Sequence, residues 1–111
     1  MNPKDVADRY FAAIRARNVD DLVALYADDA TFILPNGIES KGTVAIRKTH
    51  ESVFASGAPV PSPQAFVVGE NAVAVEIEAR LPDGTTRRTA NFYQLNGQGR
   101  IQRLSVYMRS G

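Results

Sequence analysis

The hydrophobic periodicity of this chain changes once along its length, and that change restricts the folds it can adopt. Up to about residue 57, apolar residues recur at helical spacing, as in the segment 6–14. From residue 65 onward they alternate with polar residues, most regularly in the segment 75–81, VEIEARL. Helices followed by an antiparallel series of strands are typical of α+β proteins, in which the helices pack on one face of a sheet.

The first predicted helix lies within residues 2–18 and begins with a strong start signal. Asn2 can act as the N-cap, Pro3 suits the first helical position, and Asp5 completes a capping-box-like pair with the cap. Tyr10 lies in the middle of the apolar stripe, so it is expected on the buried face.

Two further helices are predicted before the alternating region. The first covers residues 19–27, with Asp20 as its N-cap. The second covers residues 44–57, with Thr43 as its N-cap and Gly57 as its end. Tyr26 lies on the apolar side of the shorter helix. In the longer helix, His50 falls in the same apolar stripe as Phe54.

The rest of the chain is predicted to form strands, turns and one connector. Prolines lack the N–H that a sheet ladder needs, so residues 58–64, APVPSPQ, are predicted to form a connector. The predicted strands are 30–35, 65–68, 72–81, 85–95 and 100–109, with a brief extended piece that reaches Gly42.

Alternation along the strand 85–95 indicates which of its side chains point inward. Asn91 and Tyr93 share one face, and an asparagine buried in a strand needs a hydrogen-bond partner. Phe92 is also assigned to the core. The alternating charged residues Glu76, Glu78 and Arg80 indicate a solvated face. Arg87 or Arg88 is expected to pair with this face across the strands.

The composition excludes several classes of function. A formal net charge of +1 with scattered basic residues argues against a nucleic-acid-binding face. The sequence contains no cysteine and one histidine, so disulfides and thiolate or histidine metal sites are not expected. No apolar stretch is long enough to span a membrane, and we expect a cytoplasmic protein with a single domain over residues 1–111.

Three parts of the sequence together resemble one family. They are RYFAAIRARNVDDLVALYADDATF (9–32), the pair Gly42-Thr43 that opens the third helix, and LNGQGRIQRLSVY (95–107). These segments resemble the NTF2-like superfamily, and within it the ketosteroid-isomerase and SnoaL-like branch. The resemblance implies an NTF2-like (cystatin-like) cone, with three N-terminal helices packed on a strongly curved, mostly antiparallel sheet around an apolar pocket.

The resemblance also implies where a site would lie. Ketosteroid isomerases move a proton beside a ketone, using an aspartate base and two donors, a tyrosine and a protonated aspartic acid. The quoted segments place the donor tyrosine at Tyr10, the protonated acid at Asn91 and the base at Leu34. Further tyrosines of some family members fall on Tyr26 and His50.

Leucine cannot accept a proton, so the resemblance implies a site that binds better than it catalyses. The asparagine amide donates at every pH, and Tyr10 and Asn91 could therefore still hold a carbonyl or phenol-like oxygen. His50 is expected to polarise the Tyr10 hydroxyl, with an affinity that varies between about pH 5 and 8. The residues expected to contact the ligand besides these are Tyr26, Phe32, Leu34, Phe54, Tyr93 and Leu104.

Three functions remain open from the sequence. The first is an isomerase-like enzyme that acts by enolisation, cyclisation or hydration, with His50 or Glu39 as its base. The second is a binding protein for a small hydrophobic molecule, and the third is a dimerising association module. The resemblance implies no cofactor and no metal, and it favours a homodimer formed through the sheet, with Tyr107 or Met108 facing outward.

Overall fold

Three helices pack on a curved sheet of six strands in the computed structural model, which describes residues 2–57 and 60–109. The helices and strands are α1 (Pro3–Ala16), α2 (Val19–Val23), β1 (Tyr26–Ile33), β2 (Glu39–Lys41), α3 (Thr43–Ala55), β3 (Val60–Val68), β4 (Ala72–Arg80), β5 (Thr86–Leu95) and β6 (Ile101–Arg109). The strand order is β2-β1-β6-β5-β4-β3, and only the β1–β6 pair is parallel. The predicted α+β fold with a mostly antiparallel sheet is confirmed.

The start of α1 confirms the predicted N-cap. The side-chain oxygen of Asn2 accepts a hydrogen bond from the backbone N–H of Asp5 at 2.9 Å, and Pro3 is the first helical residue. The helix ends at Arg17, whose φ of 54° lies in the left-handed region. Tyr10 faces the core, as its place in the apolar stripe predicts.

The second helix is shorter than predicted and has a different cap. Its N-cap is Asn18 rather than Asp20, because the Asn18 side chain accepts the N–H of Asp21 at 3.0 Å. Tyr26 lies outside the helix as the first residue of β1, where it pairs with Ile101. The sheet ladder thus overrides the helical propensity of this segment.

The third helix confirms its predicted end but not its predicted cap. Gly42 is the N-cap and Thr43 is the first helical residue. Gly42 has a φ of 83°, a left-handed conformation that glycine adopts without strain. Ser56 is the C-cap and Gly57 follows it, also with a φ of 83°.

The segment predicted as a proline-rich connector is mostly a strand. β3 runs through Pro61 and Pro63 and pairs antiparallel with β4. Because β3 lies at the edge of the sheet, its residues need ladder partners on one side only, which tolerates proline. The register shifts between Pro63 and Ala65, and residues 58 and 59 of the predicted connector lie outside the described residues.

The outer face of the sheet corrects the assignment of Phe92 to the core. Phe92 is 49% exposed because Asn91 and Tyr93, its neighbours in the alternation, both point inward. Its ring packs edge-on against Tyr107, with centroids 5.8 Å apart. Tyr107 and Met108 are both exposed, although the alternation predicted only one of them to be so.

A cluster of aromatic side chains fills the interior between the helices and the sheet. The His50 ring stacks on Phe32 with centroids 4.9 Å apart, and its Nε2 lies 3.1 Å from the Tyr26 hydroxyl. His50 is 3% exposed, and burial lowers its pKa to about 4. The imidazole is therefore neutral at neutral pH, and its titration lies below the predicted window between about pH 5 and 8.

The buried neutral His50 makes stability depend on pH. In the unfolded chain His50 binds a proton below its ordinary pKa of about 6.5, whereas in the folded chain it binds one only near pH 4. Between these values the unfolded state holds more protons, so the free energy of unfolding falls as the pH is lowered from about 6.5 to 4. The shift corresponds to roughly 3 kcal/mol.

Urea unfolding at several pH values measures this dependence. His50→Gln keeps a polar group beside Tyr26 but does not titrate, so its stability should fall less steeply over the same window. If the free energy of unfolding of the natural protein and of His50→Gln changed equally with pH, His50 would not be the source of this dependence.

Candidate functional site

A cavity of about 230 Å³ lies between α1, α3 and the inner face of the sheet. It reaches the surface beside the exposed residues Pro35 and Arg87, and its polar lining residues are Tyr10, His50, Arg87, Thr89 and Asn91. The rest of the lining is apolar and consists of Phe11, Ile14, Phe32, Leu34, Pro35, Val53, Phe54, Pro61, Ile77, Ala79 and Val106. An apolar cavity with a few polar groups is the usual form of a small-molecule site.

Tyr10 and Asn91 line the same cavity from opposite layers of the fold. Tyr10 comes from the buried face of α1, and Asn91 comes from the inner face of β5. Each is 5% exposed. The structure therefore brings together the two residues that the sequence identified as hydrogen-bond donors.

Tyr93 supports both of these residues from behind. The Asn91 side-chain NH₂ donates a hydrogen bond to the Tyr93 hydroxyl at 3.0 Å. The Tyr10 ring packs edge-on against the Tyr93 ring, with centroids 5.3 Å apart. Because an amide NH₂ carries two hydrogens, Asn91 keeps a second donor after bonding to Tyr93.

The hydroxyls of this cluster are neutral. Burial is the main cause that raises the pKa of Tyr10 well above its ordinary value of 10, and the nearby Tyr26 hydroxyl offsets part of that rise. Burial likewise raises the pKa of Tyr26 and Tyr93. Each hydroxyl therefore keeps its proton and can donate a hydrogen bond to an acceptor.

His50 lines the cavity but contacts a different tyrosine from the one expected. Its hydrogen bond is to Tyr26, whereas its ring meets Tyr10 only edge-on, with centroids 6.1 Å apart. His50 therefore contacts the Tyr26 hydroxyl, and not the Tyr10 hydroxyl that it was expected to polarise. A neutral, buried imidazole that is already hydrogen-bonded is poorly placed to take a proton from a ligand.

Leu34 stands where β1 meets the mouth of the cavity. Its N–H donates to the carbonyl of Ile38 at 2.9 Å, and its own carbonyl accepts the N–H of Gly37 at 2.8 Å. This turn holds the half-buried leucine side chain in the lining. The residue that the family resemblance places at the position of the base therefore contributes an apolar side chain to the lining.

Among the residues that the structure describes, no carboxylate lines the cavity. Glu39, a candidate base from the sequence, is exposed in β2 with its carboxylate 3.9 Å from the Lys41 ammonium. Asp28 and Asp29 are also exposed. A carboxylate base is therefore missing from the lining of this part of the chain.

The other residues expected to contact a ligand divide into two groups. Phe32, Leu34 and Phe54 line the cavity. Tyr26 and Tyr93 are almost fully buried behind it, and Leu104 lies in the core without reaching it. The structure thus places these last three outside the lining, in contrast to the expectation from the sequence.

Arg87 and Thr89 are lining residues that the sequence analysis did not assign to the site. They alternate with Arg88 and share the inner face of β5 with Asn91, so their spacing of two residues was the available signal. Arg88 is the residue that pairs with Glu78 on the outer face, at 3.8 Å. The expectation of an Arg–Glu pair across the strands is therefore met by Arg88.

Two features are absent from the part of the chain that the structure describes. Within residues 2–57 and 60–109, no three His, Cys, Asp or Glu side chains come together as a metal ion would need. None of the helices in these ranges is long and apolar enough to cross a membrane.

Solved structures of several bacterial proteins share this fold. A proposed polyketide cyclase from Sinorhizobium meliloti is 25% identical, with a TM-score of 0.80 over 92% of this chain and 93% of that one. A proposed ketosteroid isomerase from Kribbella flavida is 18% identical, with a TM-score of 0.86 over 96% and 77% of the two chains. The epoxide hydrolase/cyclase-like enzyme SalBIII, of pyran ring formation in salinomycin, is 20% identical, with a TM-score of 0.83 over 96% and 90%.

The sequence itself supports the same relationship over most of its length. Residues 7–104 match the model of the SnoaL-like domain, a range that contains every polar residue lining the cavity. The chain therefore belongs to the SnoaL-like family, within the NTF2-like, ketosteroid-isomerase-like fold.

Proposed function

We propose that the protein binds a small hydrophobic molecule in the cavity and holds a carbonyl or phenol-like oxygen of that molecule through Tyr10 and Asn91. The observation that carries this proposal is the shared lining: two residues with neutral donor groups line one mostly apolar cavity of about 230 Å³. Hydrogen bonds from such donors fix the orientation of a ligand, and the apolar walls supply most of the binding free energy.

The size of the cavity favours a ligand smaller than a steroid. Its volume of about 230 Å³ lies below the usual range of about 300–1,000 Å³ for pockets that hold drug-sized molecules. Phe32 and Phe54 occupy part of the space between α3 and the sheet. A compound with one or two rings matches this space better than a four-ring steroid does.

The site supports binding more strongly than catalysis. A positioned general base contributes about 10²–10⁴ in rate, and Leu34 supplies none. His50 is neutral, but its Nε2 already pairs with Tyr26. Steroid isomerisation at the rates of a complete site is therefore not expected, although the fold relatives include proteins named as an isomerase and a cyclase.

Removing either donor should weaken the binding of a phenol. For 2-naphthol, Tyr10→Phe and Asn91→Leu should each raise Kd by roughly 2- to 12-fold, since one neutral hydrogen bond contributes about 0.5–1.5 kcal/mol. Fluorescence titration of the naphthol measures the change directly.

A matched control exists on the same strand. Gln94 is exposed on β5, so Gln94→Leu makes the same amide-to-leucine change away from the cavity and should leave Kd as it is. Thermal unfolding of each variant checks that the fold is intact. Unchanged affinity in both Tyr10→Phe and Asn91→Leu, with folded proteins, would refute the proposal.

A base placed at the mouth should create or raise isomerase activity. Leu34→Asp should accelerate the isomerisation of a monocyclic β,γ-unsaturated ketone by about 10²-fold or more over the natural protein, because the donors are already in place. The absorbance of the conjugated product measures the rate.

Leu34→Asn is the control for this gain, because its amide has nearly the same shape as the carboxylate but cannot take a proton. Equal rates for Leu34→Asp and Leu34→Asn would show that no base acts from this position. Rapid turnover by the natural protein would contradict the assignment of Leu34 as a wall residue.

A second proposal concerns assembly, and the exposed outer face of the sheet favours it. Phe92 and Tyr107 are each about half exposed there, and their rings pack together. We propose that this face joins two copies of the chain, because contiguous apolar surface of this kind marks interaction sites. Pairing of this kind is compatible with ligand binding on the other side of the sheet.

A charge on the outer face should then separate the copies. Phe92→Glu should convert a dimer into a monomer in sedimentation equilibrium, whereas Val44→Glu should not. Val44 is 72% exposed on α3, which makes it the matched apolar-to-acid control. A monomeric natural protein at every concentration measured would rule out this assembly.

A further inference from the structure

Arg87 is the single charged residue among the described residues that line the cavity. It lies at the mouth, near the start of β5, while Asn91 lies deeper on the same face of the same strand. Four residues of an extended strand span about 13 Å, so the two side chains mark the outer and inner ends of one wall. Thr89 stands between them and is half-buried.

The Arg87 guanidinium has no carboxylate partner among the described residues. The ion pairs of this part of the chain are Lys4–Asp8, Lys41–Glu39, Arg47–Asp20 and Arg88–Glu78. Asp83 is the nearby acid, in the turn before β5. Hydrogen bonds from the hydroxyl and N–H of Thr85, at 2.6 and 2.9 Å, are the main cause that lowers the pKa of Asp83, and the charge of Arg87 is the smallest cause. Arg87 is therefore available to an anion that enters the cavity.

The neighbouring residues leave room for such an anion at the mouth. Ala79 pairs with Arg87 across the β4–β5 ladder, and both belong to the lining. A methyl group next to a long side chain leaves space that a larger residue would fill. A guanidinium with this freedom can form two parallel hydrogen bonds with a carboxylate, a geometry that a lysine cannot reproduce.

We infer that the ligand is an acid: a compact aromatic or alicyclic carboxylate whose apolar body fills the cavity, whose carboxylate pairs with Arg87 at the mouth, and whose neutral oxygen meets Tyr10 and Asn91. This inference rests on the proposed function and adds the chemical class of the ligand. A carboxylate at the mouth keeps part of its hydration, so it avoids the large cost of burying a charge deep in an apolar cavity. The absence of any carboxylate from the described lining removes a source of repulsion.

The test compares two probes of the same shape at pH 7. They are 6-hydroxy-2-naphthoic acid, which is ionised at its carboxyl group, and 6-hydroxy-2-naphthamide, which carries no charge. The natural protein should bind the acid roughly three- to tenfold more tightly than the amide, as expected for a charge-assisted pair at a partly exposed site. Equal affinities in the natural protein would overturn the inference without any variant.

Two arginine variants locate the preference. Arg87→Met should reduce the ratio of the two dissociation constants to about one, whereas Arg88→Met, on the outer face, should leave the ratio as in the natural protein. An equal loss of the preference in both variants would show that it depends on the net charge of the protein and not on Arg87, which would overturn the inference. Binding of the neutral 2-naphthol reports separately on the proposed function, since that probe carries no group for Arg87.

Discussion

The need to pair buried polar groups arranges the interior of this protein and, with it, the cavity. An amide or hydroxyl left unpaired in a core costs about 1–3 kcal/mol. Asn91 pairs with Tyr93 and His50 pairs with Tyr26, and Ser105 is the one described residue whose buried side-chain oxygen has no partner. Tyr10 lines the cavity, and the Tyr26 hydroxyl lies close enough to it to offset part of the rise that burial causes in the Tyr10 pKa. The polar lining of the cavity thus includes Asn91 and His50, whose side chains already take part in the pairing of the core.

Burial acts on these groups in one direction, because it disfavours whichever form is charged. It raises the pKa of the three buried tyrosines and lowers that of His50 to about 4, so all four are neutral near pH 7. A carboxylic acid at position 91 would need a strongly raised pKa to act as a donor, whereas the asparagine amide donates without one. An asparagine at this position therefore supplies a donor without a titration. It also removes any chance that this residue changes its protonation during a reaction.

The sequence predicted the layers of this fold better than the ends of its elements, for identifiable physical reasons. The periodicity that placed Tyr10 and Asn91 on inner faces depends on local spacing, which the structure keeps. Tyr26 was assigned to a helix because its pairing with Ile101 is a contact over 75 positions that no local pattern reveals. Pro61 lies in a strand because β3 is an edge, and strand order is likewise a property of the whole sheet. Within the candidate site, Arg87 was missed although it alternates in step with Asn91, because a charged side chain was expected on the solvated face of the sheet.

Arg87 is the one charged residue in the described part of the lining, and its position bears on both ligand binding and the lack of a general base. A cation deep in the cavity would lose its hydration, but Arg87 at the mouth keeps water on one side while its field reaches inward. Leu34 is also at the mouth, so a carboxylate there would share this field. An opposite charge favours the ionised form and lowers a carboxyl pKa, which makes the carboxylate a weaker base. The charge of Arg87 would therefore keep a carboxylate at this rim ionised while reducing its strength as a base, whereas a neutral leucine leaves that charge to an anionic ligand.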